Sequence, residues 1–162
     1  MTAFRFSTFL VILLITLTGY VPQPDNADAL VGRWLSARKK NQVEIYRQGN
    51  KYYGKLVWMA EPDDPSTKRP KLDRQNPDEK LRNRPLMHMD IMTNLVYKGN
   101  NSWVGGQIYN PEEGKKYECD ITMKDANAIN LHGYVMGIPL LRKTSTWTRN
   151  KKISHPQWKR SY

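Results

Sequence analysis

The sequence has almost no cysteine. Cys119 is the only one among 162 residues, so the chain can form no internal disulfide. We predict that this thiol is buried, because it lies in a segment where every second residue is apolar and shares its face with Tyr117, Ile121 and Met123. The fold must therefore depend on an ordinary hydrophobic core.

Long apolar runs are also missing beyond the first 20 residues. The one long run, residues 9–17, is shorter than the roughly 20 residues that a membrane-spanning helix needs. It follows the positively charged Arg5 and precedes Ala27 to Ala29, an A-x-A pattern typical of leader cleavage. We therefore expect a signal peptide at residues 1–29 and a protein exported to the periplasm or secreted. An uncleaved membrane anchor and an earlier cleavage site are the alternatives.

Metal-binding and nucleophile motifs are absent as well. The three histidines, His88, His132 and His155, have no metal-ligand spacing, and the chain has no G-x-S-x-G motif and no phosphate-binding loop. His88 lies two residues before Asp90, which could orient it as the general base of a small hydrolase; a surface histidine near an acid is the alternative. The sequence favours a protein without a metal, a cofactor or catalytic residues. We expect His132 to be exposed.

What the sequence does contain is alternation of apolar and polar residues. Turn signals divide the chain into eight segments with this pattern. We predict strands at residues 32–37, 42–48, 51–59, 92–98, 102–110, 115–124, 127–135 and 140–149. Eight sequential antiparallel strands can close on themselves, which predicts an all-β fold, an eight-stranded up-and-down antiparallel β-barrel; a two-sheet sandwich is the alternative. The barrel domain spans residues 30–149, and a basic tail spans 150–162.

Both ends of this domain carry residues that suit the closure of a barrel. Gly32 and Trp34 begin the first predicted strand, while Trp147 and Arg149 end the last one. An indole can fill the narrowing interior and a guanidinium can stack across it. These four residues are predicted to plug one end, which leaves the other end open.

Residues 60–90 interrupt the alternation and contain five of the ten prolines. A connection of this length without strands is unusual in a compact domain. It should contain a short helix that Asn76 caps, with Pro77 in the first position and Glu79 completing a capping box. Leu81 should pin this helix to the barrel.

Several short motifs together resemble a known bacterial family. They are Gly32-x-Trp34, Val43-Glu44-Ile45-Tyr46, Asn76-Pro77-Asp78, Leu81-Arg82-x-Arg84-Pro85-Leu86, Trp103-x-Gly105-Gly106-x-Ile108-Tyr109-x-Pro111 and Thr146-Trp147-Thr148-Arg149. In this order and spacing they are similar to the secreted bacterial domain of unknown function 2147. The resemblance implies a small exported domain with a lipocalin-like barrel, and it implies no particular reaction or ligand. The chain departs from the family pattern at His88, where a glycine is usual.

Connections in an up-and-down barrel alternate between its two ends. The loop 60–90 should therefore lie at the open end, together with the connections around 38–41, 110–114 and 136–139. It is a candidate lid, or else a structural plug that only covers the mouth. Arg82 and Arg84 could hold an anionic headgroup by paired hydrogen bonds. They could equally pair with nearby acids, which are Asp73, Asp78 and Asp90.

Acidic residues are few relative to basic ones. The chain has 26 lysines and arginines against 15 aspartates and glutamates, a net charge of +11. Arg33, Arg47 and Lys51 should lie at the plugged end together with the basic tail. Such a surface could contact anionic lipid or another anionic envelope component; a solubilising surface is the alternative. No nucleic-acid partner is expected, because the chain has no base-reading motif.

A barrel of about eight strands either fills with side chains or holds one small ligand. We predict that this one binds a small apolar or amphiphilic molecule. A filled barrel that acts as a non-enzymatic interaction module and a small hydrolase are the alternatives. Trp103 and Tyr109 are predicted to face inward on one strand, as are Tyr117, Cys119, Ile121 and Met123 on its partner. Gly105 and Gly106 could leave room for a ligand or form a bulge. The candidate ligand-binding residues are Arg82, Arg84, Trp103, Tyr109, Tyr117, Met123 and Arg142.

Overall fold

The computed structural model describes residues 26–135 and 138–150, with the side chains of 138–141 excepted. Most of the predicted signal peptide and all but the first residue of the predicted basic tail lie outside the described residues. Residues 26–29, which the sequence analysis assigned to the signal peptide, belong to the described structure, where Ala27–Leu30 is a 3-10 helix.

Eight antiparallel strands form a closed barrel. They are β1 (Gly32–Leu35), β2 (Asn41–Gln48), β3 (Lys51–Met59), β4 (Asp90–Gly99), β5 (Ser102–Asn110), β6 (Lys115–Asp125), β7 (Ala128–Val135) and β8 (Ile138–Arg149). Each strand pairs with the next, and β8 pairs with β1 through Trp34 with Arg149 and Leu35 with Thr148. The predicted up-and-down barrel is confirmed, because the apolar alternation of each strand already specified its inward face.

Large apolar side chains fill the barrel interior. Val43 and Ile45 of β2 belong to one buried cluster with Ile121 of β6 and Ile129 of β7. The cluster also contains Leu30, Trp34, Tyr52, Leu56, Met92, Leu95, Trp103, Cys119, Leu131 and Trp147. Cys119 is a buried free thiol, as predicted. Fully buried residues from every side of the barrel meet here, so this part of the interior is packed core.

A β-bulge at Gly105 bends β5. Between two successive pairs of the β5–β6 register, β5 advances from Trp103 to Gly106 while β6 advances by one residue fewer. Gly105 has a φ of +71°, which glycine adopts without strain. Gly106 approaches β4 so closely that a Cβ atom there would lie 2.5 Å from Leu95 Cγ. The two glycines therefore form the predicted bulge and let β4 and β5 approach closely, while the Cβ position of Gly105 faces open space.

Beyond this bulge Tyr109 faces the opposite side of the sheet from Trp103. Tyr109 pairs with Lys116, while its neighbour Ile108 pairs with Tyr117. The expectation that Trp103 and Tyr109 share an inward face is wrong. One extra residue in a strand reverses the alternation for everything that follows it.

The long connection between β3 and β4 contains a short 3-10 helix, Glu79–Leu81. Its cap is Asp78, whose carboxylate accepts a hydrogen bond from the Lys80 N–H at 3.0 Å. The predicted cap Asn76 is wrong, because the helix begins only at Glu79. The Asn76 Oδ1 atom still accepts a hydrogen bond from the Asp78 N–H at 2.9 Å, just before the helix, while its amide N–H₂ group donates to the buried Asp73. The Glu79 carboxylate accepts from Arg82 rather than closing a capping box.

Leu86, and not Leu81, anchors this connection in the core. Leu86 is buried, whereas Leu81 is 37% exposed, so the predicted pinning role of Leu81 is wrong. The segment 71–86, which we call the lid, is instead held by polar contacts described below. Among the described residues no helix is both long and apolar enough to cross a membrane.

Candidate functional site

The closed end of the barrel carries the four residues that the sequence analysis grouped for closure. The Trp34 indole is fully buried, and the Arg149 guanidinium lies 4.2 Å from its ring centroid. Gly32 has a φ of +133° and lies against Arg149, with a Cβ position only 2.8 Å from Nη1. Trp147 is buried, and its indole N–H donates to Ser145 Oγ at 3.2 Å.

The cations expected at this end have partners of their own. Arg33 forms an ion pair with Glu44 at 3.2 Å, and Arg47 forms one with Asp28 at 3.1 Å. Lys51 Nζ donates to Asn94 at 3.4 Å. The described part of this end is therefore less available to an anionic surface than its sequence alone indicates, and the basic tail from residue 151 lies outside the described residues.

A cavity of about 710 Å³ lies at the open end, between the lid and the β5–β6 hairpin. Its walls come from the lid, from the beginning of β4, from the end of β5 and from the beginning of β6. The lining residues are Asn76, Pro77, Asp78, Leu81, Arg84, Asp90, Ile91, Thr93, Gln107, Tyr109, Gly114, Lys115, Lys116, Tyr117 and Val135. Ile91 and Tyr109 of this lining also belong to the buried core cluster, so the cavity lies directly on the filled core.

A buried carboxylate ties the lid to the barrel wall. Asp73 is fully buried and accepts hydrogen bonds from the Tyr109 hydroxyl at 2.6 Å and the Asn76 amide at 2.7 Å. Arg84 pairs with the same carboxylate at 2.8 Å. Burial, and then the hydrogen bond to Asp73, raise the pKa of Tyr109 to about 12. Of the two predictions for Arg84, pairing with a nearby acid is therefore observed.

The lid also touches the hairpin between β5 and β6. A Cβ atom at Gly114 would lie only 1.9 Å from the Gln75 carbonyl oxygen, so only glycine fits at this crossing. Gly114 has a φ of +67°, which also favours glycine. Tyr117 donates a hydrogen bond to Glu113 on the same hairpin. The lid and the hairpin are therefore packed together as two sides of one cavity.

The cavity combines apolar surface with several charges. Two large apolar side chains on its lining are exposed, Leu81 at 37% and Val135 at 40%. Lys115 and Lys116 are consecutive residues at the start of β6, where both are exposed and line the cavity. Apolar walls with a few polar groups at one edge are typical of sites for small amphiphilic molecules.

Three of the seven candidate ligand-binding residues line this cavity, namely Arg84, Tyr109 and Tyr117. Trp103 lies in the core, where its ring is 6.2 Å from that of Tyr52 and 5.1 Å from that of Tyr97. Met123 packs against the same core.

Two candidate arginines lie away from the cavity lining. Arg82 donates to the Asn76 carbonyl at 2.8 Å and pairs with Glu79. Arg142 is exposed, and its guanidinium lies 5.8 Å from the Tyr134 ring centroid on the wall of β7. Their charges are thus used in local contacts.

Sequence reasoning missed the apolar lining and the lysine pair. Ile91 did not stand out, because a single apolar residue at a strand end carries no periodic signal. Leu81 was singled out, but as an anchor of the short helix and not as part of a cavity. Lys115 and Lys116 directly follow the turn at Gly114. Because this turn was predicted to lie at the open end, both lysines could have been predicted to lie there too.

A second, shallower groove of about 440 Å³ lies beside the bulge of β5. Asp120 accepts from the Gly105 N–H at 2.9 Å and from the Tyr134 hydroxyl at 3.1 Å. Its polar groups therefore already bond to one another. Nothing in this groove points to a ligand.

His132 is buried, and the prediction that it is exposed is wrong. Its ring nitrogens lie 3.1 Å from the Thr122 hydroxyl and 3.0 Å from the Thr144 hydroxyl, on the two neighbouring strands. Burial lowers the pKa of His132, which keeps the imidazole neutral. This histidine is a structural link between strands.

No hydrogen bond between His88 and Asp90 is seen among the described residues, so the structure gives no support to a general-base pair. The Asp90 carboxylate accepts from the Tyr46 hydroxyl at 3.1 Å. His88 has a φ of +68°, a left-handed conformation that explains why the resemblance leads one to expect glycine there. In residues 26–135 and 138–150, no group of three histidines, cysteines or acids is placed to hold a metal ion.

The comparisons with known proteins agree with this architecture. Residues 32–149 match the family described as an uncharacterized protein conserved in bacteria, domain of unknown function 2147. The chain belongs to this family. Protein HP1028 of Helicobacter pylori, described as belonging to the lipocalin family, superposes with a TM-score of 0.66 and 24% identity over 76% of this chain and 84% of that one. This likeness shows a lipocalin-like fold for the family member described here. No curated protein is significantly similar to the chain.

Proposed function

We propose that this family member is an exported protein that binds one small amphiphilic molecule in the cavity at the open end of its barrel. The observation that carries the proposal is the cavity itself. Its volume of about 710 Å³ falls in the range of about 300 to 1,000 Å³ that is common for small-molecule sites. Export is part of the proposal because of the apolar run at residues 9–17.

The arrangement of the walls supports an amphiphile over a purely polar ligand. Ile91 and Leu81 offer apolar contact on two sides, and the exposed Leu81 would lose water contact when an alkyl chain enters. Lys115 and Lys116 lie at the edge, where an anionic head would remain near solvent. The packed core below limits the depth of the ligand, so the alkyl chain lies under the lid rather than along the barrel axis.

A filled barrel that serves as an interaction module is the second candidate. The filled interior favours it, because side chains occupy the space in which a deeply bound ligand would lie. The open-end cavity is the observation that favours ligand binding instead. The two candidates differ in whether a ligand must occupy this cavity for the protein to act.

Titration with a fluorescent fatty acid tests the proposal. We expect saturable binding by the unmodified protein and at least a tenfold loss of affinity, about 1.4 kcal/mol, when Leu81→Trp fills the cavity. Val96→Trp is the matched control, because Val96 is also 37% exposed and lines neither cavity. Equal loss in both variants, or no saturable binding, would reject the cavity as the site.

The headgroup is tested separately from the alkyl chain. Lys115→Gln together with Lys116→Gln should weaken binding of a long-chain carboxylate and leave binding of the corresponding alcohol nearly unchanged. Lys98→Gln together with Lys124→Gln is the control for the loss of two charges, because both lysines are exposed and neither lines a described cavity. Equal effects on the carboxylate and the alcohol would show that these lysines do not contact the head.

A further inference from the structure

Residues from Asn26 to Leu30 form the floor of the closed end. The Asn26 side chain caps the 3-10 helix, since its Oδ1 accepts from the Asp28 N–H at 2.9 Å. Leu30 is fully buried, and its carbonyl accepts from the Trp34 indole N–H at 2.8 Å. The segment is therefore continuous with the packed core of the barrel.

Buried side chains of the barrel use this segment as their hydrogen-bond acceptor. The Trp103 indole N–H donates to the Ala27 carbonyl at 3.2 Å. The Tyr52 hydroxyl donates to the Asp28 carboxylate at 3.2 Å, and Arg47 pairs with the same carboxylate. Because Trp103 and Tyr52 are buried, loss of these acceptors would remove hydrogen bonds from polar groups in the core.

Arg149 gives the clearest argument against a chain that begins at Leu30. Its guanidinium donates to the carbonyls of Ala29 at 2.5 Å, Val31 at 3.0 Å and Ala126 at 2.8 Å. Cleavage after Ala29 would remove the first acceptor. It would also place the new α-ammonium group of Leu30 beside this guanidinium, and two like charges in a partly buried site repel each other.

We propose that Asn26–Leu30 is retained in the mature protein and that the leader is cleaved before Asn26, not after Ala29. The proposal rests on the export that the proposed function includes. Ala27 and Ala29 are small because they are half-buried beneath the barrel, and their A-x-A spacing is a feature of the fold. The chain between the apolar run and Asn26 is long enough to contain an earlier cleavage site.

The intact mass of the exported protein tests the proposal directly. The full chain is produced with its own leader in a bacterial host and purified from the periplasm or the medium. We expect a mass that corresponds to a first residue between positions 18 and 26, after the apolar run. A mass that corresponds to a first residue at Leu30 would overturn the proposal, and a full-length mass would overturn cleavage altogether while leaving amphiphile binding to be judged by titration.

A substitution in the precursor provides a second readout. Asp28→Ala removes the acceptor of Tyr52 and the partner of Arg47, so the exported protein should melt about 2 to 6 °C lower than the unmodified protein. If the mature chain began at Leu30, the substituted residue would be gone and the melting temperature would be unchanged. Ala29→Leu should change the mature mass only by the substitution, because a bulky residue blocks cleavage only at the site used.

Discussion

Trp34 is the residue on which the closed end depends most. Its ring is fully buried under the Arg149 guanidinium, and its indole N–H is bonded to the Leu30 carbonyl. Trp34→Ala should lower the free energy of unfolding by about 3 to 5 kcal/mol, because it leaves a cavity and removes a buried contact. Urea denaturation followed by circular dichroism measures this loss.

Trp58→Ala on β3 is the matched control for this change. The Trp58 side chain is only half-buried and lies outside the buried core cluster. It should cost less than half as much as Trp34→Ala. A loss below about 1 kcal/mol for Trp34→Ala would mean that the closed end is held together by other contacts.

Cys119 links stability to pH at the alkaline side. Burial, with a smaller effect of Asp120, raises the pKa of the Cys119 thiol from 9.0 to about 12. The folded-state pKa lies above the unfolded one, so the contribution of the neutral thiol is complete below pH 9 and is lost between pH 9 and pH 12. When the pH is raised from 9 to 11, the free energy of unfolding of Cys119→Ala should fall less than that of the unmodified protein. If the free energies of unfolding of the two proteins changed with pH in parallel, a buried, neutral thiol would be contradicted.

Individual residues show where sequence reasoning stops. The inward face of β6 was predictable from alternation, and Cys119 is buried as expected. Tyr109 was placed on the wrong face because nothing in the alternation reveals which residue of a glycine pair forms a bulge. His132 is buried because two threonines on neighbouring strands bond its nitrogens, and such cross-strand partners are not visible along the chain.

At the scale of elements, the packing of the lid against the β5–β6 hairpin can be tested at one glycine. Gly114→Ala places a methyl group against the Gln75 carbonyl at a left-handed backbone position, so it should cost about 1 to 3 kcal/mol and displace the lid. Gly49→Ala is the matched control, because Gly49 has a φ of +64° but nothing within 4 Å of its Cβ position.

The difference in stability between these two variants separates the effect of the Gly114 contact with the lid from the effect of backbone strain. Both substitutions carry the cost of alanine at positive φ, and only Gly114→Ala adds the collision with the lid. Thermal unfolding gives the stability of each, and the fatty-acid titration gives the affinity. If Gly114→Ala and Gly49→Ala behaved alike in both measurements, the lid would not depend on this crossing.

The strands were predictable and the lid was not. Period-2 alternation is a property of each strand and its face, so all eight strands were located from the sequence. In the lid, the Asn76 side-chain oxygen accepts from the Asp78 N–H, but the helix begins only at Glu79 and its cap is Asp78. The Asn76 amide group also donates to Asp73 and to the Tyr109 hydroxyl of β5, and such a contact with a strand is not visible in the local sequence.

For the whole molecule, the barrel and the residues that plug its closed end were predictable from the sequence, but the position of the cavity was not. A barrel of eight strands can be hollow or filled. Whether a barrel is hollow or filled depends on how side chains from its opposite walls pack together. In this barrel Met92 and Leu95 belong to the buried core cluster. The barrel is filled near its closed end and its cavity lies at the open end, so the account places the ligand under the lid.

Native mass spectrometry of the protein purified gently from the envelope fraction tests the central claim most directly. The account predicts that the unmodified protein and Val96→Trp retain one small amphiphile per chain, and that Leu81→Trp is recovered without it. An empty spectrum for the unmodified protein, or a ligand that Leu81→Trp retains equally well, would contradict binding in the cavity under the lid.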